Sequence, residues 1–202
     1  MMELWYAPTS PFARKVRIAA HELRIAERIS LRQTDPWNDA ELRRLNPLAK
    51  VPTLVVNGDF ILYESAVICE YLDSLDEGGM LFPPVGRARW DALLRQGLAD
   101  GASTAAGRLF AMEQKPVAER DAKITARFEE AIGAALDALD AQTLSAGGWT
   151  IGEVGAAAFI GYLGFRWPEK DRLATRPALA EWWAKAEARP SIAATRHRLP
   201  TG

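Results

Sequence analysis

The sequence is poor in the residues that most often bind metals or exchange electrons. It contains one cysteine, Cys69, and two histidines among 202 residues. A single cysteine excludes an intramolecular disulfide, a Cys-x-x-Cys redox pair and a cysteine-based zinc site. Because Cys69 lies between Ile68 and Glu70 in a predicted helix, we expect a buried and unreactive thiol. We therefore predict a protein without a metal site.

The sequence also lacks an excess of charge and a long apolar run. It has 25 Lys and Arg against 26 Asp and Glu, a net charge of −1, which favours neither a nucleic-acid partner nor a membrane surface. The longest apolar run, near residues 154–165, is too short to span a bilayer, and the N-terminus has no signal-peptide pattern. We expect a soluble cytoplasmic protein. A basic cluster near the N-terminus is interpreted mainly as the solvated face of one helix and the strand after it: Arg14, Lys15, Arg17, Arg24, Arg28 and Arg32.

Hydrophobic residues make up 49% of the chain, and their periodicity divides it into two zones. Strands and helices alternate in the first zone, where Asn57-Gly58 predicts a hairpin. The predicted order is βαβαββα: strand 2–6, a helix through 12–23, strand 28–32, a short helix 39–45, strands 53–56 and 60–63, and a helix through 67–75. The second zone is predicted to be helical, with segments 87–112, 117–139, 151–165 and 178–188.

The Gly/Pro-rich stretch at 78–86 marks the predicted domain boundary. We predict an α/β domain over 1–77, a linker over 78–86 and an all-helical domain over 87–202. In the second domain, Thr150 and Glu153 form a predicted capping box, with Trp149 and Val154 at the positions of a hydrophobic staple. The many small residues that follow predict a buried central helix.

The motif Thr9-Ser10-Pro11-Phe12 predicts the start of the first helix. Ser is favoured at the N-cap and Pro at the first helical position. The free N–H groups and the dipole of such a helix end stabilise a thiolate or another anion held beside Ser10. The alternative is that Ser10 is only a cap.

Two more segments complete the candidate site. Pro52 opens a strand, which leaves the Val51 backbone free to pair with an extended peptide. Ser65 is predicted to cap the next helix, whose N-terminus is able to hold a carboxylate, while Glu64 pairs with an ammonium group. Together with Ser10, these segments suit a short peptide with a thiol and a zwitterionic end. Ordinary caps and a turn remain the alternative.

The chain resembles the cytosolic glutathione S-transferases of the bacterial type over nearly its whole length. The residues that carry the resemblance are Ser10-Pro11-Phe12, Asn46-Pro47, Lys50-Val51-Pro52, Glu64 to Leu72, the Thr150 capping box and Arg189-Pro190-Ser191. The resemblance implies a thioredoxin-like N-terminal domain (βαβαββα), an all-α C-terminal domain, a cis bond before Pro52 and a homodimer. It also implies glutathione as the co-substrate, bound by Ser10, Phe12, Lys50, Val51, Pro52, Glu64 and Ser65.

The resemblance assigns the catalytic role to Ser10, whose hydroxyl donates a hydrogen bond to the glutathione thiolate. Tyr6 is the first rival, because other classes use a tyrosine at the end of the first strand, and Thr9 is the second. The counterpart of the second-helix residue that contacts the glycyl carboxylate is not identified; Trp37, Asn38 and neighbouring positions are candidates.

The second substrate is expected between the two domains, in an apolar pocket with four candidate residues: Phe12, Phe110, Met112 and Trp167. The resulting prediction is a detoxifying glutathione transferase that conjugates a small, hydrophobic electrophile. Glutathione-dependent isomerisation or reduction is one alternative, and a ligand-binding or scaffold protein without turnover is another. Ser10 argues against thiol–disulfide chemistry because a hydroxyl cannot form a mixed disulfide.

Overall fold

The N-terminal half is built on a four-stranded mixed sheet. The computed structural model describes residues 1–75 and 79–200. The strands are β1 (Met2–Tyr6), β2 (Ile29–Gln33), β3 (Thr53–Val56) and β4 (Phe60–Tyr63), in the sheet order β2-β1-β3-β4. β1 runs parallel to β2 and antiparallel to β3, and β3 pairs with β4 across the predicted hairpin.

The helices of this half begin and end near the predicted residues. They are α1 (Pro11–Glu22), α2 (Ala40–Leu45) and α3 (Ser65–Asp73), with a 3-10 turn at Ala26–Arg28. Ser10 caps α1 and Asp39 caps α2 through side-chain oxygens that accept backbone N–H groups. The thioredoxin-like βαβαββα arrangement is therefore confirmed.

The elements of the C-terminal half are all helices among its described residues. Its helices are α4 (Gly86–Glu113), α5 (Ala122–Asp140), α6 (Ile151–Arg166), α7 (Pro177–Glu187) and α8 (Pro190–Ala194). The single helix predicted over 117–139 is wrong at its start: a 3-10 turn at Val117–Glu119 precedes α5, and Asp121 begins the new helix by accepting the N–H groups of Lys123 and Ile124. The short helix α8 was not predicted because one turn is too short to have a periodicity.

The central helix α6 confirms the predicted capping box. The Glu153 carboxylate accepts the backbone N–H of Thr150 at 2.9 Å, and the Thr150 hydroxyl accepts the N–H of Gly152 at 3.2 Å. Every residue from 151 to 160 is buried, as the run of small residues indicated. At Gly155, an added Cβ would lie 3.3 Å from the Cβ of Ala99, so small residues permit close packing of α6 against α4.

Two predictions about the N-terminal half have different outcomes. Cys69 is fully buried, and burial raises the pKa of its thiol to about 12, so the prediction of an inert thiol is confirmed. The solvated basic face is wrong for Arg14 and Lys15, which are 5% and 1% exposed. Periodicity missed this because both lie under the C-terminal helices, which cover α1 only in the tertiary fold.

The predicted domain limits remain a prediction. Gly78, where the predicted linker begins, lies outside the described residues, as does the preceding limit at residue 77. Within the described part of that segment, Leu81 and Phe82 are buried, and the Asp73 carboxylate accepts the Leu81 N–H at 2.8 Å. Among the described helices, none is long and apolar enough to cross a membrane.

Candidate functional site

The three segments singled out in the sequence meet in one cleft between the sheet and α4. The cleft has a volume of about 860 Å³. Its wall on the sheet side includes Ser10, Phe12, Lys50, Val51, Pro52, Glu64 and Ser65. All seven residues predicted to bind glutathione therefore lie around one space, although they are separated by more than fifty positions in the chain.

Ser10 lies half-buried at the start of α1, and its hydroxyl donates to no acceptor among the described residues. Its Oγ accepts the backbone N–H of Ala13 at 3.2 Å, which uses a lone pair and leaves the O–H free to donate. The backbone N–H of Phe12 has no acceptor among the described residues. Ser10 and Phe12 thus offer two donors to an anion at the positive end of the helix dipole.

The two rivals of Ser10 have different positions. Tyr6 is 5% exposed, and its hydroxyl accepts a hydrogen bond from Arg198 Nη2 at 3.2 Å. Within the described chain, Tyr6 is not part of the cleft wall, whereas Thr9 is. The geometry therefore leaves Thr9 as the nearer rival.

Val51 offers an unused stretch of backbone beside Ser10. In the part of the chain that is described, neither its N–H nor its C=O has a hydrogen-bond partner. The Val51–Pro52 peptide bond is cis, as the resemblance implied. The Asn46 side chain holds this turn by donating to Lys50 O and Thr53 Oγ1, both at 3.0 Å.

The start of α3 differs from the prediction. Glu64, not Ser65, occupies the N-cap position, and Ser65 is the first helical residue. Glu64 has φ 68°, a left-handed backbone that costs a non-glycine residue about 1–3 kcal/mol. No side chain among the described residues caps the first N–H groups of α3. The helix therefore presents an open N-terminus at the cleft, where Glu64, Ser65 and Ala66 form the wall.

Across the cleft, α4 supplies charged residues that the sequence did not single out. Asp100, Thr104 and Arg108 recur at every fourth position of α4 and line the cleft. Lys15 Nζ donates to both carboxylate oxygens of Asp100, at 2.8 and 2.6 Å. Burial raises the pKa of Asp100, the Lys15 charge opposes this effect, and the Glu64 carboxylate, which lines the same cleft, adds to it.

The predicted second-substrate pocket is not assembled as expected. Phe12 lines the cleft, but in the described structure Phe110, Met112 and Trp167 do not. Phe110 and Trp167 pack edge to face with ring centroids 6.2 Å apart, and Trp167 is 4% exposed. Helical spacing shows which side chains share one face of a helix, but it does not show what that face packs against. The sequence therefore could not distinguish apolar side chains that line the cleft from those that pack in the core.

Trp37 and Asn38, two candidates for contact with the glycyl carboxylate, occupy different positions in the segment before α2. Trp37 is 86% exposed and lines the cleft. Asn38 is not part of the cleft wall as described, and its side chain donates to Asp35 at 2.6 Å. The structure adds Arg43 of α2, which sequence analysis missed because one exposed arginine on a short helix carries no distinguishing pattern.

Comparison with known proteins identifies the family. A family model described as "Glutathione S-transferase, N-terminal domain" matches residues 9–75. The uncharacterized GST-like protein YibF of Escherichia coli K12 is 30% identical over 202 residues, covering 96% of this chain and 98% of YibF. The chain belongs to the glutathione S-transferase family.

Solved structures of family members agree over the whole chain. A glutathione transferase family member from Pseudomonas fluorescens Pf-5, solved with bound glutathione, is 32% identical and superposes with a TM-score of 0.92 over 100% of both chains. A glutathione S-transferase from Methylobacillus flagellatus KT, solved with glutathione bound, is 28% identical with a TM-score of 0.89, covering 98% of this chain and 100% of that one. The family fold predicted from the sequence is thus confirmed.

The described residues contain no group of three or more His, Cys, Asp or Glu side chains that could hold a metal ion.

Proposed function

We propose that this protein is a glutathione transferase that binds glutathione in the cleft and transfers its thiolate to a small electrophile. The observation that carries the proposal is the convergence of Ser10, the free Val51 backbone and the open N-terminus of α3 on one cleft. Each offers what a different part of glutathione requires. The glutathione-bound family members add support from relatives.

The proposed pose runs from α3 to α2. The γ-glutamyl carboxylate takes the free N–H groups at the start of α3, and its ammonium lies between Glu64 and Asp100. The cysteinyl backbone pairs with Val51 as an added strand. The glycyl carboxylate meets Lys50 and Arg43, both exposed cations of the cleft wall.

In the proposed reaction, Ser10 stabilises the nucleophile. The thiol of bound glutathione loses its proton to water, because the Ser10 hydroxyl, the Phe12 N–H and the helix dipole favour the anion. The thiolate attacks the electrophilic carbon, a C–S bond forms, and the leaving group departs with the electron pair of the broken bond. The cleft holds both reactants close together, which lowers the entropic cost.

One observation bears on the reductase alternative. Reduction through a mixed disulfide needs a protein thiolate, and Cys69, the sole cysteine, is buried with its pKa raised to about 12 by burial. This supports conjugation over thiol–disulfide exchange. Detoxification and a cytoplasmic location belong to the same proposal and rest on the family; cell fractionation tests the location.

The binding step is tested by thermal melts with glutathione and with γ-glutamylalanylglycine, which lacks the thiol. At about 100 times the dissociation constant, glutathione should stabilise the fold by about 2.7 kcal/mol. Glu64→Gln and Ser65→Ala should weaken binding of both peptides, while Glu70→Gln, an exposed change on the same helix, should not. An unchanged melting temperature at millimolar glutathione would refute the proposal.

Turnover is tested separately with an activated aryl chloride. Formation of the thioether with release of chloride distinguishes a transferase from the scaffold alternative, in which glutathione binds without turnover.

A homodimer is part of the proposal. Exposed apolar side chains of β4, α3 and α4 form what we call the α3/α4 patch: Phe60, Tyr63, Val67, Trp90 and Leu94. The ion pair between Arg89 and Glu70, at 2.7 Å, holds the start of α4 beside α3, the helices that carry Trp90 and Val67. Exposed apolar surface of this kind supports a protein partner.

Light scattering should give twice the monomer mass of 22.2 kDa, and Trp90→Glu should lower it to the monomer. Val117→Glu, an equally apolar and exposed position elsewhere, is the control. A monomer mass for the unsubstituted chain at micromolar concentration would rule the dimer out.

A further inference from the structure

A second cavity lies where α6, α7, α8 and the C-terminal segment meet α1. It has a volume of about 470 Å³ and shares no lining residue with the cleft. This size is sufficient for a molecule with one ring and a few substituents. Nothing in the proposed conjugation uses it.

More cations than carboxylates line this cavity. The lining includes two carboxylates, Asp171 and Glu187, and four cationic residues: Arg14, Lys170, Arg172 and Arg196. Glu129 pairs with Arg172 at 2.7 Å and with Lys170 at 3.4 Å, and Glu113 lies 3.7 Å from Lys170. Arg14 and Arg196 are the two lining cations that form no ion pair with a described residue.

Arg14 is the most unusual residue of the wall. It is 5% exposed, and its Nη2 donates to Ile192 O at 3.4 Å. Its Nε has no partner, and no carboxylate among the described residues pairs with its guanidinium. Burial, followed by the charges of Arg17 and Arg196, lowers the pKa of Arg14 to about 10, and the Glu187 carboxylate opposes this effect. A buried cation without a direct ion pair is costly, and an anion in the cavity would offset that cost.

The neighbouring His197 adds no charge of its own. Its Nδ1 lies 3.2 Å from Pro8 O, so this nitrogen carries the proton and donates. Burial, the charge of Arg14 and that of Arg166 lower the pKa of His197 to about 3, which keeps the imidazole neutral at physiological pH. Arg14 and Arg196 are therefore the donors available to a ligand.

The remaining wall is apolar. It is formed by Ile160, Leu163, Phe165, Trp183 and Ile192. One buried and one exposed arginine beside apolar and aromatic side chains match an anionic head on an apolar body. We propose that this cavity is a binding site for a small organic carboxylate, whose carboxylate group pairs with Arg14 and Arg196 while its apolar part packs against Phe165 and Trp183. Arg14 and Arg196 present planar guanidinium groups, which suit a planar carboxylate.

The test is a titration of the full-length protein with benzoate and with benzamide, a neutral molecule of nearly the same shape. The amide NMR signals of Gly161 and Gly164, two glycines of the cavity wall, report on occupancy. Benzoate should shift both signals to saturation, and benzamide should bind at least about tenfold more weakly.

Two variants locate the site. Arg196→Gln, at an exposed position, should weaken benzoate binding about tenfold and leave the benzamide response unchanged. Arg108→Gln removes an equally exposed arginine of the cleft and should change neither response. Gly161→Ala is a second probe of Arg14, because the added Cβ would overlap Arg14 Nη1 and push the guanidinium from its place.

Three results would overturn the proposal. The first is equal binding of benzoate and benzamide, which would mean that charge plays no part. The second is unchanged benzoate affinity in Arg196→Gln. The third is a loss of benzoate affinity in Arg108→Gln, which would place benzoate in the cleft. Each result is independent of glutathione binding, so the proposed transferase function stands or falls separately.

Discussion

Lys15 and Asp100 form an ion pair that joins α1 to α4, with Lys15 Nζ 2.8 and 2.6 Å from the two carboxylate oxygens. The Lys15 side chain is 1% exposed and that of Asp100 is 27% exposed. The two helices belong to the two halves of the chain, and Asp100 also lines the cleft. The pair therefore couples the packing of the halves to the shape of the candidate site.

Removing both members of this pair should cost less than the sum of the two single removals. Lys15→Met leaves a carboxylate without its cation, and Asp100→Asn leaves a buried ammonium without its anion, so each should lower the free energy of unfolding by about 3–5 kcal/mol. The double variant should be more stable than the sum of the two losses predicts. Urea denaturation of all four proteins measures this, and additive losses would show that the pair contributes nothing as a pair.

Ser10→Ala should reduce conjugation while glutathione still binds. One hydrogen-bond donor to a developing or full anion is worth up to roughly 10²–10³ in rate, and the helix dipole and the Phe12 N–H moderate the loss. The variant also loses a helix cap, which should cost about 1 kcal/mol of stability. The pKa of bound glutathione, followed by thiolate absorbance, should rise.

Matched substitutions separate these effects. Ser10→Thr keeps both the cap and the hydroxyl and should restore most of the rate. Tyr6→Phe removes a hydroxyl that accepts from Arg198 and should leave conjugation intact. Loss of turnover in Tyr6→Phe together with full activity in Ser10→Ala would transfer the catalytic role to Tyr6.

Gly152→Ala should destabilise the contact between α6 and α4. An added Cβ would lie 2.9 Å from Arg95 Cδ and 3.2 Å from the backbone oxygen of Ala92, and the backbone cannot give way cheaply. We expect a loss of about 1–3 kcal/mol in the free energy of unfolding. Gly164→Ala on the same helix meets nothing within 4 Å and should be neutral or up to about 1 kcal/mol stabilising. Equal effects of the two substitutions in thermal melts would contradict this packing argument.

His197 should make the fold sensitive to acid. Its pKa is lowered from 6.5 to about 3, chiefly by burial, so between these values the unfolded chain binds a proton that the folded chain does not. Stability from this residue is therefore fully present above pH 6.5 and is lost as the pH falls towards 3, by at most about 5 kcal/mol.

Urea denaturation across this pH range measures the loss. His197→Gln should flatten the dependence in this window, while His21→Gln should change it less because His21 is more exposed. An identical pH dependence in His197→Gln and the unsubstituted chain would mean that another group is responsible.

Local signals in the sequence were sufficient for most of the fold. Ser10 before Pro11, Asp39 before α2 and the Thr150–Glu153 box each act within one helical turn, so their residue types fix where a helix begins. Asn57-Gly58 sets the β3–β4 hairpin in the same way. The prediction of a single helix over 117–139 was wrong at its start because Asp121 caps a new helix inside a continuous apolar pattern.

The sequence by itself determined the strands, the helices and the residues that lie at their ends, because capping and turn formation depend on neighbours a few positions away. Tertiary structure decided which of these helix and strand ends meet in one cleft and which side chains become buried. Arg14 and Lys15 have an exposed face in α1 alone and become buried only when α8 and α4 pack over it. Likewise, Arg108 lies in the cleft and Trp167 is buried in the core because of the way α4 and α6 pack together. That packing depends on contacts between residues far apart in the chain.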